Sequence, residues 1–222
     1  MKVTPLQEPV LRSLAERYRH QDPGVVSLFG AHSSRVDDWR GRAAWLDGTA
    51  ARRADRAQVA EALRRYHAGL AAHPAVERSL ERLGRQDSLV VVGGQQAGLF
   101  GGALMIFHKA RSVIQAAQYA ERSLNRPVVP VFWIAGEDHD FDEANHVHVQ
   151  RADGEVKRIR VERPIGPRQA VSRTPISRES WEAALAALAA ELPDTAYKAD
   201  LLATLARHLK DAPTLSLAFA RL

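Results

Sequence analysis

The chain has 222 residues, 45% hydrophobic and 26% charged, the size and balance of one large globular domain or one and a half small ones. It has no cysteine, which excludes disulfides and thiolate chemistry within the chain, and no apolar run approaches the roughly 20 residues of a membrane-spanning helix. The formal charge is +5, yet the arginines are scattered (Arg52-Arg53, Arg64-Arg65, Arg158–Arg163) and only 6% of residues are aromatic, so the basic, aromatic-studded stripe of a nucleic-acid binder is missing.

The first residues, Met1-Lys2-Val3-Thr4-Pro5, lack the apolar stretch of a secretory signal, so the cytoplasm is the expected compartment. Residues 6–21 predict a helix, with Leu6, Val10, Leu14 and Tyr18 on one face. Residues 22–50 read as turn-rich, with Asp22-Pro23-Gly24 as a breaker. A helix follows over about 54–71, carrying Val59, Leu63, Tyr66 and Leu70. Pro74 interrupts. A second helix through Val76, Leu80 and Leu83 ends at Gly84, read as a C′ glycine.

At Ser88 the pattern changes. Leu89–Val92 is a short continuous apolar run, as in a strand buried on both faces. The glycine-rich loop Gly93–Gly102 leads into a helix over Ala103–Glu121, stopped by Asn125-Arg126-Pro127. Val128–Ala135 is a second buried strand, with Trp133 expected in the core, and the acidic segment Gly136–Glu143 follows. Strand, loop, helix and strand make a βαβ unit, with parallel strands and a right-handed crossover. Both following loops then open at the carboxyl edge of one sheet, where α/β ligand sites lie. The glycine loop and the acidic segment are therefore expected to be neighbours.

Beyond this unit, His146–Gln150 and Val156–Val161 flank the turn Asp153-Gly154 and predict a hairpin. Residues 162–175 hold three prolines and read as a loop. Ser177 is placed to cap a helix through Trp181, Leu185, Leu188 and Leu192, and Asp194 another through Tyr197, Leu201, Leu205 and Leu209. Thr214 begins a last apolar face, Leu215, Ala218, Phe219 and Leu222, that stops without a C-cap. That ending predicts either a fragment or a helix docked against something absent. Trp39, Trp45 and Trp181 are expected in the core or at docking contacts.

Two segments carry chemistry. Gly94, Gln95, Gln96 and Gly98 lie in a loop that offers close backbone approach, amide donors and acceptors, and the free N–H groups of a helix N-terminus. This suits a phosphate or carboxylate; a plain βα turn is the alternative. Lys109, in the second turn of the next helix, is within reach of such an anion or is simply a surface lysine. Glu137-Asp138-His139-Asp140 crowds three carboxylates and an imidazole, a setting expected to raise at least one pKa for acid–base work. His139 is a residue type suited to moving a proton near neutral pH. Asp138, His139, Asp140, Asp142, His146 and His148 are also competent metal ligands, which keeps a metal-dependent hydrolase open. A solvated acidic turn is the third possibility, and for His146 and His148, which share one strand face, the structural role is the default.

Taken together, Gly94-Gln95-Gln96-Ala97-Gly98-Leu99-Phe100, Lys109, Pro130–Ala135, Glu137-Asp138-His139-Asp140 and Asn145-His146 resemble the bacillithiol biosynthesis cysteine-adding enzymes (BshC), densely over residues 88–148. The resemblance implies an α/β fold: a partial Rossmann-like parallel sheet with flanking helices, truncated at the C-terminus. It divides the chain into a helical region at 1–87, the core at 88–161 and a helical segment at 162–222 leading into a missing part. It also implies a ligase adding L-cysteine to glucosaminyl-malate, with ATP as the activating cofactor expected of that reaction class and a coiled-coil homodimer in the full-length form. By this resemblance Asp138, His139 and Asp140 are the catalytic candidates, Gly94, Gln95, Gln96, Gly98 and Lys109 bind substrate, and no metal is used. The sequence departs from the family at Gly93 (usually threonine), Ala103 (usually proline) and His108 (commonly tyrosine), and in being less than half as long. A non-catalytic remnant that pairs with a partner chain is the other alternative.

Overall fold

A computed structural model describes residues 13–222. The first half of the helix expected over 6–21 lies outside those residues. Its second half is α1 (Leu14–Arg19), started by a capping box between Ser13 and Glu16. Asp22-Pro23-Gly24 does not break the chain but opens α2 (Pro23–Phe29). Asp22 accepts from the N–H groups of Gly24 and Val25, and Pro23 sits where a helix needs no N–H. A further helix, α3 (Val36–Gly48), fills the region expected to be turns. Its Trp39, Ala43 and Leu46 pack on the sheet and its crossover helix, and Arg126 grips Asp47 at 2.7 and 3.1 Å.

Asp55 caps α4 (Arg56–His67), and α5 (Pro74–Leu83) follows. Gly84 ends α5 at φ −65°, right-handed, so it is not the left-handed cap expected of it. Then come β1 (Leu89–Gln95), α6 (Leu104–Leu124) and β2 (Val128–Ile134). The strands are parallel, in register from Leu89 opposite Val128 to Gln95 opposite Ile134, as the βαβ reading requires. One sheet face, with Leu89, Val91 and Val128, packs on Ala117 and Ala120 of α6 and on α3. The other, with Val90, Val129 and Val131, packs on Ala60 of α4 and Leu83 of α5.

That second face is covered only over its amino-terminal half. Val92 is 62% exposed and Trp133 57% exposed, so Trp133 is not the core residue it was expected to be. Trp45 is likewise exposed, with Arg42 stacked 4.2 Å above its ring. Trp181 is buried, and its indole N–H donates to the Ala212 carbonyl at 2.8 Å.

After α7 (Phe141–Ala144), β3 (His146–Gln150) and β4 (Val156–Arg160) form the expected antiparallel hairpin, a separate two-stranded sheet. Three helices close the chain: α8 (Arg178–Glu191), capped by Ser177; α9 (Lys198–Leu209); and α10 (Leu215–Arg221), capped by Thr214. Asp194 caps nothing. It accepts from the Lys198 ammonium at 2.8 Å, and Tyr197 precedes α9. Only part of the last apolar face is covered from within the chain: Leu215 and Ala218 belong to one core cluster with Leu99, Phe141, Val171, Trp181 and Leu205, Phe219 packs partly against it, and Leu222 stays exposed. The described helices include none long and apolar enough to cross a membrane.

Candidate functional site

The turn after β1 is built on close backbone contact. A Cβ on Gly98 would lie 2.6 Å from the Gly102 Cα, and Gly102 holds φ +70°, so the loop folds flat upon itself. Between them Phe100 is forced to φ 53°, rare for a large side chain. This closure delivers the chain into α6, whose first residue is preceded by Ala103 with no side-chain cap. The first-turn amides of α6 therefore lack a side-chain acceptor.

The acidic turn after β2 lies beside this loop, as the topology predicts. The Ala135 N–H donates to the Gln95 carbonyl at 3.0 Å. The Gln96 side-chain amide donates to the Asp138 carboxylate, joining the two motifs directly. Backbone bonds from Val171 to the Asp138 carbonyl at 2.7 Å and from Ser172 to the Gly136 carbonyl at 2.9 Å pin the turn from below.

The electrostatics differ from the sequence expectation at Asp138. Its pKa lies below the ordinary 3.8, because the Asp140 backbone N–H and then the Gln96 amide donate to the ionised carboxylate. Donated hydrogen bonds outweigh the desolvation that would raise it, so Asp138 is a fixed anion and a weak base. His139 is exposed, its Nδ1 3.7 Å from Asp138 Oδ1. Asp140 accepts from the Glu143 N–H at 3.3 Å and caps α7.

Lys109 turns inward. Its ammonium donates to Gln95 Oε1 at 2.6 Å and to the Gly94 carbonyl at 3.3 Å. A cavity of about 500 Å³ opens beside these residues. Its wall brings together Gln95, Gln96 and Gly98, the first turn of α6, and Glu143, His146 and His148. Gly94, Lys109, Asp138, His139 and Asp140 are outside that wall. Two of its members, His146 and His148, were expected from the sequence to be structural by default, with metal ligation as the other reading. Their i, i+2 spacing in β3 does place both rings together, 5.2 Å apart and edge to face. His146 Nδ1 lies 3.0 Å from the Asp142 carbonyl and 3.2 Å from Asn145 Oδ1; the Asn145 amide nitrogen is committed to the Val161 carbonyl. Nδ1 thus faces two acceptors and, at 3.2 Å, the donor-only guanidinium of Arg158, so these contacts hold the ring in place without fixing which nitrogen carries the proton.

Among the described residues no group of three or more His, Asp or Glu side chains is arranged to hold a metal. The metal-dependent hydrolase is left without a ligand set.

A family model described as Bacillithiol biosynthesis BshC, N-terminal Rossmann-like domain, matches residues 1–222. The chain belongs to the BshC family. Relatives named "Putative cysteine ligase BshC" are similar to it across most of its length. The protein from Oceanobacillus iheyensis is 39% identical over 73% of this chain and 29% of its own length. That from Bacillus licheniformis is 38% identical over 75% and 31%, and that from Geobacillus kaustophilus 41% identical over 71% and 28%. The matched stretch thus spans less than a third of the length of these BshC relatives. The parallel β1–β2 pair with α6 between them is the part of a Rossmann-like BshC domain that carries the candidate site.

Proposed function

We propose that this chain is the substrate-binding N-terminal portion of a cytoplasmic ligase that joins the carboxyl group of L-cysteine to the amine of glucosaminyl-malate. The observation that carries the reading is the Gln96–Asp138 hydrogen bond, which fastens the glycine–glutamine loop to the acidic turn at the edge of a 500 Å³ cavity. That volume lies within the range of small-molecule sites, and the carboxyl ends of parallel strands are where such sites form.

Amide formation makes a C–N bond between the amine and the carboxyl carbon, breaks the C–O bond to the leaving group, and releases a proton from nitrogen. The imidazole of His146, on the cavity wall, is the group suited to take that proton. Asp138 positions Gln96 and stays ionised. Asp140 shapes the turn by capping α7. His139 remains a candidate for meeting substrate at the outer edge.

The resemblance implies ATP. The residues of this wall do not fit a triphosphate: no lysine or arginine lines the cavity, Glu143 does, and the close-packed Gly98 and Gly102 leave no open cradle. No step is assigned to a nucleotide here.

In a form with the full length of the relatives, Asp138→Ala is expected to lower formation of product from cysteine and glucosaminyl-malate by about 100-fold, through misplacement of Gln96. Unchanged turnover rules out this site.

A further inference from the structure

We infer that the outward face of the β3–β4 hairpin holds the two carboxylates of the malate moiety, with the Arg158 guanidinium as the principal contact and the His148 imidazole beside it. The inference rests on the substrate reading above and supplies the anchor for one half of that substrate.

Strand alternation divides this hairpin. Val147, Val149 and Ile159 turn inward to the core cluster. His146, His148, Arg158 and Arg160 therefore share the other face, with His146 opposite Arg160 and His148 opposite Arg158. Neither strand contributes an acidic residue.

Arg158 is the cation that the fold leaves without a counter-ion. Its neighbours in sequence are all matched: Arg151 and Lys157 with Glu155 at 2.9 and 3.3 Å, Arg160 with Glu162 at 2.7 Å, and Arg163 with Asp142 at 2.8 Å. Among the described residues Arg158 forms no ion pair. Its side-chain contact is His146 Nδ1 at 3.2 Å. A guanidinium carries five N–H groups in a planar fork that fits a carboxylate with two parallel hydrogen bonds. One of them faces His146, and the residue is exposed, so the remainder are open to a ligand. His148 is exposed as well and adds a ring N–H on the same face.

This face meets the candidate site. His146 and His148 belong to the cavity wall, which has no lysine or arginine of its own. Arg158 therefore brings positive charge to the edge of a cavity that lacks it, through contact with His146. In a glucosaminyl compound the amine stands on the sugar carbon next to the glycosidic one. Malate carboxylates on Arg158 and His148 thus bring the amine toward His146, the group suited to take its proton.

The test is binding by titration calorimetry on the 222-residue chain. The ligands are glucosaminyl-malate, its malate dimethyl ester, L-malate and inorganic phosphate. The wild type is expected to bind glucosaminyl-malate about tenfold or more tightly than the diester, which keeps the sugar and amine and loses both charges. Arg158→Met should bring that ratio to within about twofold. Arg160→Met, on the same face but removing a cation that already has its carboxylate, should leave the ratio unchanged.

Equal binding of glucosaminyl-malate and its diester overturns the inference and leaves the substrate reading standing. An Arg158→Met protein that discriminates as well as wild type does the same, as does an equal loss in Arg160→Met. Phosphate binding as tightly as L-malate would reveal a general anion patch and overturn the assignment to malate. Arg158-dependent binding of L-malate with no binding of glucosaminyl-malate overturns the substrate reading and leaves the dicarboxylate inference intact. Absence of binding by all four ligands overturns both. Should Arg158→Met fail to fold, NMR of the wild type decides: glucosaminyl-malate should shift the side-chain resonances of Arg158 and His148, and unmoved resonances overturn the inference.

Discussion

The two ends of the β1–β2 pair differ in what presses on them. At the amino end Leu89 and Val128 are buried under α3 and α6, while Val90 and Val129 are covered by α4 and α5. At the carboxyl end Val92 and Trp133 face solvent, and Gln95 and Gln96 border a cavity. Hydrophobic burial holds one end, and a few polar contacts hold the other: Lys109 to Gln95, Gln96 to Asp138, and the backbone bonds from Val171 and Ser172. Stability and chemistry are therefore separated along the same two strands, some five residues apart. An element can be firm where it is packed and still present unpaired groups where it emerges.

The largest test of this separation is at the amino end. Leu89 is 5% exposed, and Leu89→Ala is expected to cost about 2–5 kcal/mol by leaving a cavity that the two facing helix layers cannot close. Chemical denaturation measures it. The Gln96–Asp138 contact should persist in the fraction that remains folded, with the Gln96 side-chain NH₂ resonances unmoved. A shift in those resonances would show the two ends to be coupled.

Gly93 stands at the boundary, and the next effect is expected there. A Cβ on this residue would lie 2.3 Å from Cγ2 of Val113, a β-branched residue of α6 with a stiff χ1. Gly93→Ala should destabilise by about 1–3 kcal/mol through overpacking. Val113→Ala makes room, so the double variant should lose less than the sum of the two single losses. The pair also gives a reason for glycine at this position: Val113 fills the space that a side chain at 93 would take. Additive losses in the cycle would remove that explanation.

How much of this was legible beforehand follows the same division. β1, α6 and β2 were readable because local signals agreed: a continuous apolar run, a glycine loop, a 3.6-residue periodicity and a stop at Asn125-Arg126-Pro127. The meeting of Gln96 with Asp138 followed from strand order alone. Trp133 was misplaced because its exposure depends on how far α4 and α5 reach along the sheet, which no local pattern records. α2 and α3 were missed for a different reason. Asp-Pro-Gly serves both as a breaker and as a helix start, and Trp39, Ala43 and Leu46 were left unread as a helical stripe. Lys109 was expected at an anion and is found on Gln95, since the reach of a long side chain is settled by what lies closer. His146 and His148 had the right spacing, but their place on a cavity wall depends on the first turn of α6 lying opposite.

The smallest effect belongs to the carboxyl end, and it is a matter of pH. The pKa of Asp138 is lower in the folded chain than its ordinary 3.8, chiefly because the Asp140 N–H and the Gln96 amide donate to the ionised form. A depressed folded-state pKa stabilises above the unfolded value, and that contribution is lost as pH falls through the folded one. The Gln96–Asp138 contact should therefore be unchanged between pH 8 and pH 5, and should weaken only below about pH 4. The side-chain NH₂ resonances of Gln96 report on it directly by NMR. Because Asp138 is solvent-accessible, global stability should hardly register the transition, whereas those resonances should move. Asp138→Asn should abolish the pH response while leaving the amino end of the sheet as stable as before. If the Gln96 resonances instead titrated near pH 6–7, they would be following an imidazole, and the turn would be organised around His139 rather than around a permanent carboxylate.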